Sequence, residues 1–424
     1  MNILVVGGGG REHAIVWALR KSPRVDKLFC APGNGGIARI AECIDIRATD
    51  IPGMVAFAKA NAVDFVVVAP DDPLALGMVD ALEAAGVSAF GPRKSAAILE
   101  SSKIFSKNLM KKYGIPTAKY QVFTDPQAAL SYIRREGAPI VVKADGLALG
   151  KGVVVARTMD EAEAAVRAMM EERKFGDSGA RIVIEECMTG PEVTVLAFTD
   201  GKTVLPMRPA QDHKRAYDGN QGPNTGGMGA FCPSAKFTPE LAAISMETIF
   251  VPTIQAMARE NRPFQGVLYF GLMLTETGPK VVEYNARFGD PETQPILALL
   301  ETDLLDIFEA VRCGRLHEIE LRWRPGTACC VVMASGGYPG AYQAGFPITG
   351  IEDVPPDVLV FHAGTKQKNG VFYTAGGRVL GVTAVGDTPS AASARAYEGV
   401  RYIRFQNAYY RTDIGNNDAP GVRT

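Results

Sequence analysis

Val281-Val282-Glu283-Tyr284-Asn285-Ala286-Arg287-Phe288-Gly289-Asp290 is an apolar run that becomes polar in steps of two. Side chains alternate between the faces of a strand, so 283, 285 and 287 are expected on one face, presenting a carboxylate, an amide oxygen and a guanidinium. Glu283 and Asn285 are hard oxygen donors of the kind that hold Mg²⁺ between nucleotide phosphates, where the ion keeps several waters and takes few protein ligands. Arg287 would then face charge developing on a transferring phosphoryl or acyl oxygen. The competing reading is a polar strand face turned to solvent. The apolar lead-in and the crowded Gly-Asp-Pro-Glu-Thr of 289–293 count against it.

If that face holds a triphosphate, other segments must supply cations and a base pocket. Lys143-Ala-Asp-Gly-Leu-Ala-Leu-Gly-Lys-Gly152 lies upstream. Three residues separate Gly146 from Gly150, and Lys151 is followed by Gly152; a Walker A loop needs another spacing and a Ser or Thr there. A glycine-rich flap over 146–152 can still fold across phosphates, with lysines as point charges; a solvated flexible loop is the alternative. Ile182-Val-Ile-Glu185-Glu186-Cys-Met188 is a strand ending in two acids, with Glu192 just beyond. The backbone of such a strand end can read adenine while a following carboxylate grips ribose hydroxyls, or the acids are solvated at a sheet edge. Gln211-Asp212-His213-Lys214-Arg215 and Gly222-Pro-Asn-Thr225-Gly226-Gly-Met-Gly229 fit an anion and amine site, or a long solvated loop. His213 alone is more often structural than a base.

Farther out, residues 1–100 alternate strand and helix in a doubly wound pattern, with strands over 3–6, 27–30, 65–69 and 88–90 and a helix over 12–20. Gly7-Gly8-Gly9-Gly10 joins the first strand to that helix, where backbone N–H groups can approach a phosphate. As a dinucleotide fingerprint the run is defective: His13 stands at the third glycine, and the second strand ends in Ala31-Pro32 without a ribose-binding acid. A tight structural turn, a phosphate or substrate cradle, and an NAD site remain the three readings.

From 101 the rhythm changes: a helix over 101–113 carrying Lys103 and Lys107, strands over 119–123, 139–143, 153–156 and 182–186, and a helix over 159–170, together a small α+β unit. Strands over 192–198 and 202–206 form one hairpin, and 266–275 with 279–283 another. A helix over 291–301 takes Pro291 at its first turn. The polar Arg-Trp-Arg-Pro-Gly at 322–326 marks a boundary, followed by strands over 329–334, 358–362 and 378–384 and a helix over 390–404.

The chain has 424 residues, enough for two to four domains. Lys plus Arg (45) nearly cancels Asp plus Glu (46), which offers no basic surface for nucleic acid or a membrane face. Seven scattered cysteines without a CxxC pair speak against disulfides or structural zinc and fit a reducing compartment. No signal peptide is evident and no apolar run approaches the ~18 residues of a spanning helix, so the cytoplasm is expected.

Taken in order, Gly-Gly-Gly-Arg-Glu-His-Ala, Ala-Pro-Gly-Asn-Gly-Gly, Lys-Ala-Asp-Gly-Leu-Ala, Gln-Asp-His-Lys-Arg, Gly-Pro-Asn-Thr-Gly-Gly-Met-Gly, Arg-Phe-Gly-Asp-Pro-Glu-Thr-Gln-Pro and Phe-His-Ala-Gly-Thr-Lys resemble the phosphoribosylamine–glycine ligase family over roughly residues 1 to 415. The resemblance implies an α/β and α+β multidomain fold: a Rossmann-like domain (1–100), an ATP-grasp domain (101–324, with 117–190 as a mobile lid) and a small α/β C-terminal domain (325–424). It implies ATP-dependent ligation of glycine to 5-phosphoribosylamine through glycyl phosphate, in purine biosynthesis, by a monomer using Mg²⁺ or Mn²⁺. Another ATP-grasp carboxylate–amine ligase is the nearest rival. An NAD(P)-dependent oxidoreductase and a nonenzymatic nucleotide sensor are the others.

Carried over residue by residue, the resemblance puts Lys103, Lys143, Gly150, Lys151, Gly152 and Glu185 around ATP, Glu186 and Met188 at adenine through backbone, and Glu192 at the ribose. Glu283 and Asn285 would hold the metal, and Arg287, Asp212 and Lys214 would be catalytic. Gly8, Gly9, Gly10, Asp71, Asp212, Thr225, Gly226, Arg287, Asp290 and Glu292 would line the glycine and phosphoribosylamine sites. Two departures stand out. Ala69-Pro70-Asp71, then Asp72, replaces the family's Gly-Pro-Glu, and the strand over 266–274 lacks the second metal-binding acid that many ATP-grasp enzymes carry.

Overall fold

The computed structural model describes residues 1–147 and 152–415. Its N-terminal part is a five-stranded parallel sheet in the order Glu42–Cys43, Lys27–Pro32, Asn2–Gly7, Phe65–Val68, Ser88–Phe90. Ile3 and Val5 face one hydrophobic core, Leu4 and Val6 another, so both faces are covered, as a continuous apolar strand requires. The strand order reverses between Asn2–Gly7 and Phe65–Val68. Ligands of open α/β sheets bind outside the carboxyl ends of the strands at such a switch point. The glycine run after Gly7 and Asp71 after Pro70 both start there. Helices at Ile51–Ala60, Asp71–Leu76, Met78–Ala84 and Lys94–Ser101 fill the spaces that the apolar pattern left unassigned.

Two antiparallel sheets follow. Tyr120–Phe123, Ile182–Glu186, Ile140–Ala144 and Val153–Ala156 form one, packed under the helices Pro126–Glu136 and Met159–Val166. Val204–Pro206, Glu192–Asp200, Gln265–Thr275 and Gly278–Asn285 form the other. Glu192–Asp200 alternates Val193, Val195 and Ala197 into one core of the N-terminal sheet and Leu196 and Phe198 into the other.

The fourth large sheet runs Gln211–Asp212, Gly229–Cys232, Thr327–Ser335, Arg378–Gly386, Leu359–His362, with Ala408–Tyr409 added at the end of Thr327–Ser335. Helix Pro389–Tyr402 packs on it. The segment 211–232, read from sequence as part of the central region, is therefore hydrogen-bonded into the C-terminal sheet, Gly229 opposite Val331 and Cys232 opposite Ala328.

Three sequence expectations change. The helix expected over 101–113 begins at Lys103, because Ser102 caps it through Phe105 N. The helix expected from Pro291 begins at Thr293. The chain turns sharply at 289–292, where the Glu292 carboxylate lies 2.5 Å from the position a Gly289 Cβ would take, and Pro291 falls outside the helix. The helical stretch Pro239–Arg259 has the length and hydropathy (1.4) of a membrane span, which run-length reading missed because Glu240 and Glu247 interrupt it. Its Ile249, Phe250, Ile254 and Met257 are buried in the protein's own core.

Candidate active site

Strand Gly278–Asn285 carries a β-bulge. Gly271 pairs with Glu283 and its neighbour Leu272 with Val281, so Val282 is the extra residue. Simple alternation would leave Glu283 on the buried face of Val281. The bulge re-aims it: Val281 and Tyr284 are buried while Glu283 and Asn285 are not fully so. The freed carbonyl of Val282 accepts from Lys143 Nζ at 3.1 Å.

Around Glu283 the lysines converge. Lys214 Nζ lies 3.3 Å from Glu283 Oε1 and 2.5 Å from Glu192 Oε1. Burial alone would raise the Glu283 carboxyl; Lys214, Lys143 and Lys103 outweigh it and hold the pKa at about 2. Lys103 is pushed down by burial, opposed chiefly by Glu283. Its place is set by Asp145, whose carboxylate accepts from Ser102 Oγ (2.9 Å) and Ile104 N (2.8 Å) at the start of the Lys103 helix and from Arg181 (2.6 Å). Lys143 and Lys107 both reach Glu185 Oε2, at 2.9 and 3.0 Å. Glu185 Oε1 is buried without a hydrogen-bond partner. Burial pushes Lys107 down to about 8.

The other nucleotide candidates divide. Glu186 donates its amide N–H to Lys119 O and accepts from Lys119 N through Oε1, both at 3.0 Å, so its N–H is already engaged. Met188 follows the strand, partly exposed. Gly152 is buried, its carbonyl accepting from Ala144 N at 2.8 Å. Gly150 and Lys151, and with them most of the expected flap, lie outside the described residues.

Arg287 departs from the expected row. The strand ends at Asn285, and Arg287 turns to Glu100 at 3.1 Å and to Phe288 O at 3.1 Å, leaving its Nε buried and unpartnered. Arg11 Nη1 donates to the same Phe288 carbonyl at 3.1 Å. Asp71 faces this pair. Its burial would raise its pKa, and Arg287 and Arg11 bring it below the usual value. Asp72 is exposed.

A third group gathers where loop 225–229 meets turn 289–292. Asp212 Oδ1 is buried without a partner. Burial first, then Glu292, pushes the Asp212 carboxyl well up, and burial pushes Glu292 up too. Glu292 accepts from Thr194 Oγ1 at 3.3 Å, and Thr194 also bonds the Tyr269 hydroxyl at 3.0 Å. Thr225 Oγ1 donates to Lys214 O at 2.8 Å, and Gly226 N donates to the Tyr338 hydroxyl at 2.9 Å. Asp290 accepts from Gln294 at 2.8 Å and pairs with Arg378 at 3.1 Å. A Cβ on Gly8 would meet the backbone Gly33 O at 2.4 Å, whereas on Gly9 or Gly10 it would meet only side-chain ends, Glu12 Oε2 and Gln294 Nε2, each at 2.7 Å. The helix end behind them is already capped, since Glu12 accepts from Gly9 N at 2.6 Å. His213 is buried against Gly229 O and pushed by burial down to about 4, a structural neutral ring.

Sequence reasoning missed Arg11, Glu100, Lys107, Tyr269, Tyr338 and Arg378. Arg11 and Lys107 lay inside segments already singled out. Tyr269, in an apolar strand, and Arg378, alone among apolar neighbours, carried no local signal.

Among the described residues no three His, Cys, Asp or Glu side chains gather into a metal cluster. An ionised Glu283 with Asn285 beyond it fits a cation that completes its shell from phosphate oxygens and water. The nucleotide fits as well: lysines crowd one carboxylate, and a buried carboxylate oxygen awaits a donor.

Three family models cover the chain: phosphoribosylglycinamide synthetase N domain over 1–100, ATP-grasp (A) domain over 101–293 and C domain over 328–417. The chain belongs to the phosphoribosylglycinamide synthetase family. Among curated relatives of this family, the phosphoribosylamine–glycine ligase of Rhodopirellula baltica is 51% identical, over 98% of this chain and 97% of that protein. The Rhizobium meliloti ligase is 49% identical, over 98% of each. The crystal structure of the Thermotoga maritima phosphoribosylamine–glycine ligase superposes with a TM-score of 0.85 at 33% identity, covering 97% of this chain and 100% of that one. A biotin carboxylase from Campylobacter jejuni shares the fold alone, at a TM-score of 0.75 and 14% identity over 96% and 92% of the two chains. The family's fold is thus a mixed α/β multidomain one with a parallel N-terminal sheet and an ATP-grasp core.

Proposed function

We propose that this chain is an ATP-dependent carbon–nitrogen ligase that joins glycine to 5-phosphoribosylamine, yielding glycinamide ribonucleotide, ADP and phosphate, an early step of de novo purine biosynthesis. The observation that carries the reading is the Glu283 carboxylate ringed by Lys214, Lys143 and Lys103 in a chain that matches its family end to end. The glycine carboxylate accepts the γ-phosphoryl group of ATP as glycyl phosphate; the amine of phosphoribosylamine attacks that carbonyl, loses a proton, and phosphate leaves. The amine is already nucleophilic at neutral pH, so the protein's task is positioning and charge stabilisation.

In this reading Lys103 and Lys143 neutralise phosphate oxygens, Glu185 Oε1 and the strand end 186–188 take the adenine, and Glu192 the ribose. Glu283 and Asn285 hold a divalent cation, Mg²⁺ or Mn²⁺, which when bound supplies charge neutralisation at the phosphates. Arg287, through its free Nε, faces the acyl oxygen, and Asp212, Glu292 and Asp290 meet the amino groups. The division into 1–100, 101–324 with 117–190 as the covering unit, and 325–424 belongs to the same proposal, as do a monomeric state and a cytoplasmic location. The test is an ADP-release assay. ADP formation should require glycine and phosphoribosylamine made in situ, and ¹⁸O from glycine's carboxylate should appear in the released phosphate. Unlabelled phosphate, or turnover with another acid in place of glycine, would overturn the reading.

A further inference from the structure

Arg378 begins strand Arg378–Gly386, a strand the sequence predicts but to which it assigns no site residue. Its Nη1 donates to Gly226 O at 2.6 Å, to Asp290 O at 2.7 Å and, more weakly, to Gly227 O at 3.5 Å, while Nη2 pairs with Asp290 Oδ2 at 3.1 Å. A guanidinium is a rigid planar fork and can serve several fixed acceptors at once, which an ammonium on a flexible stem cannot. On the other side of the Gly226 peptide, Tyr338 accepts the N–H. Arg378 at the start of a C-terminal strand and Tyr338 in the turn after Thr327–Ser335 thus hold both polar groups of one residue in a loop of the candidate site.

The loop and turn that Arg378 joins are tightly apposed. A Cβ on Gly227 would lie 2.3 Å from Pro291 Cδ and 2.8 Å from Asp212 Oδ1. The two segments therefore close over the Asp212 carboxylate, whose Oδ1 is buried with no protein partner. Asp290 in turn abuts the N-terminal glycine run, 3.7 and 3.6 Å from where Cβ atoms of Gly9 and Gly10 would stand. The hydrogen bonds of the Arg378 guanidinium go to Gly226, Gly227 and Asp290, not to Glu283 or the lysines beside it.

We propose that Arg378 is a positioning residue for the amine substrate: it fixes the spacing between the Gly226–Gly227 loop and the Asp290 turn, and so makes the C-terminal sheet part of the binding site. The proposal rests on the ligase reading above. Misplacing a binding group by ~1 Å can cost about a hundredfold, and the cost here falls on the amine side of the site and not on ATP.

The test uses the full-length chain with Arg378→Met, Arg378→Lys and Tyr338→Phe. Arg378→Met should raise the KM for phosphoribosylamine about tenfold or more with the KM for ATP within about twofold, and Arg378→Lys should recover part of the loss. Calorimetric binding of glycinamide ribonucleotide should weaken in step while ADP binding stays put. The proposal is overturned if both KM values rise together, if neither moves, or if only thermal stability falls. Should Arg378→Met fail to fold, Tyr338→Phe decides by the same split, with a rise of about threefold expected from one lost hydrogen bond. A wild-type chain that releases no ADP with both substrates would instead sink the ligase reading beneath it.

Discussion

The nucleotide half and the amine half of the candidate site are charged in opposite senses. Around Glu283 and Glu185 the cations prevail: Lys103, Lys107, Lys143 and Lys214 surround three carboxylates, Glu192 included. Around Asp212 the acids prevail: Asp212, Glu292, Asp290, Asp71 and Glu100 meet Arg378, Arg287 and Arg11. The first half suits a polyanion and the second the amino groups of two small substrates. They are also built differently. A helix, strands and a bulge place Lys103, Lys107, Lys143 and Glu283, whereas the Asp290 turn and the Gly226–Gly227 loop beside strand residue Asp212 are held from outside by Arg378. Binding groups on helices and strands are held more precisely than groups on loops.

The largest effect that would test this contrast is on the nucleotide side. Glu283→Gln should lower kcat about a thousandfold, because it removes a metal donor and leaves Lys103, Lys143 and Lys214 repelling one another. Steady-state ADP release across a Mg²⁺ titration would show it, and a loss below tenfold would break the comparison. Asp212→Asn should weaken the amine half by about a hundredfold in the KM for glycine or phosphoribosylamine, with ADP affinity unchanged in calorimetry. If ADP affinity fell equally, the two halves would not be separable.

A smaller effect concerns the seam between the N-terminal and C-terminal sheets. His13 Nδ1 accepts the His362 amide at 2.8 Å, and burial drives His13 to about 3 and His362 to about 4, as it drives His213 to about 4. Each folded value lies below the free histidine value, so the unfolded chain binds more protons in this range. Their stabilising effect is complete above the unfolded pKa of 6.5. It drains by roughly 1.4 kcal/mol per pH unit per histidine as the solution is acidified toward the folded values. Urea midpoints followed from pH 7 to 4 should fall, and His13→Gln should flatten the slope. A flat profile in the wild type would show that the seam is not the weak joint. Smallest of all, Asp71→Asn should cost about tenfold in kcat/KM through the loss of a carboxylate facing Arg287 and Arg11, while the exposed Asp72→Asn stays within about twofold. Equal effects would mean that the second acid shares the work.

Much of this was legible before any coordinates. The doubly wound N-terminal pattern, the two hairpins and the shared face of Glu283 and Asn285 follow from periodicity, which is local. The bulge at Val282 was not legible, because it depends on the register of a partner strand, and it is what carries Glu283 out of the core. Arg287 fell out of its row for the same reason: the strand stops at Asn285. Arg378 and the His13–His362 contact are long-range pairings that no window on the sequence can see. Of the glycines at 8, 9 and 10, the close approach of the Gly33 backbone accounts for Gly8, another long-range contact that periodicity does not reveal. Asp145 was quoted as motif and proves to brace the Ser102 cap and the first turn of the Lys103 helix.

The seating of Gly229–Cys232 between Gln211–Asp212 and Thr327–Ser335 has a bearing on any attempt to shorten the protein. A chain ended before Thr327 would carry a bare row of amide and carbonyl groups, flanked by Phe231 and Cys232 stripped of their cover. Such an open border recruits whatever strand comes near, commonly another copy of the same fragment. The strand Thr327–Ser335 thus covers an edge that a shortened chain would leave open.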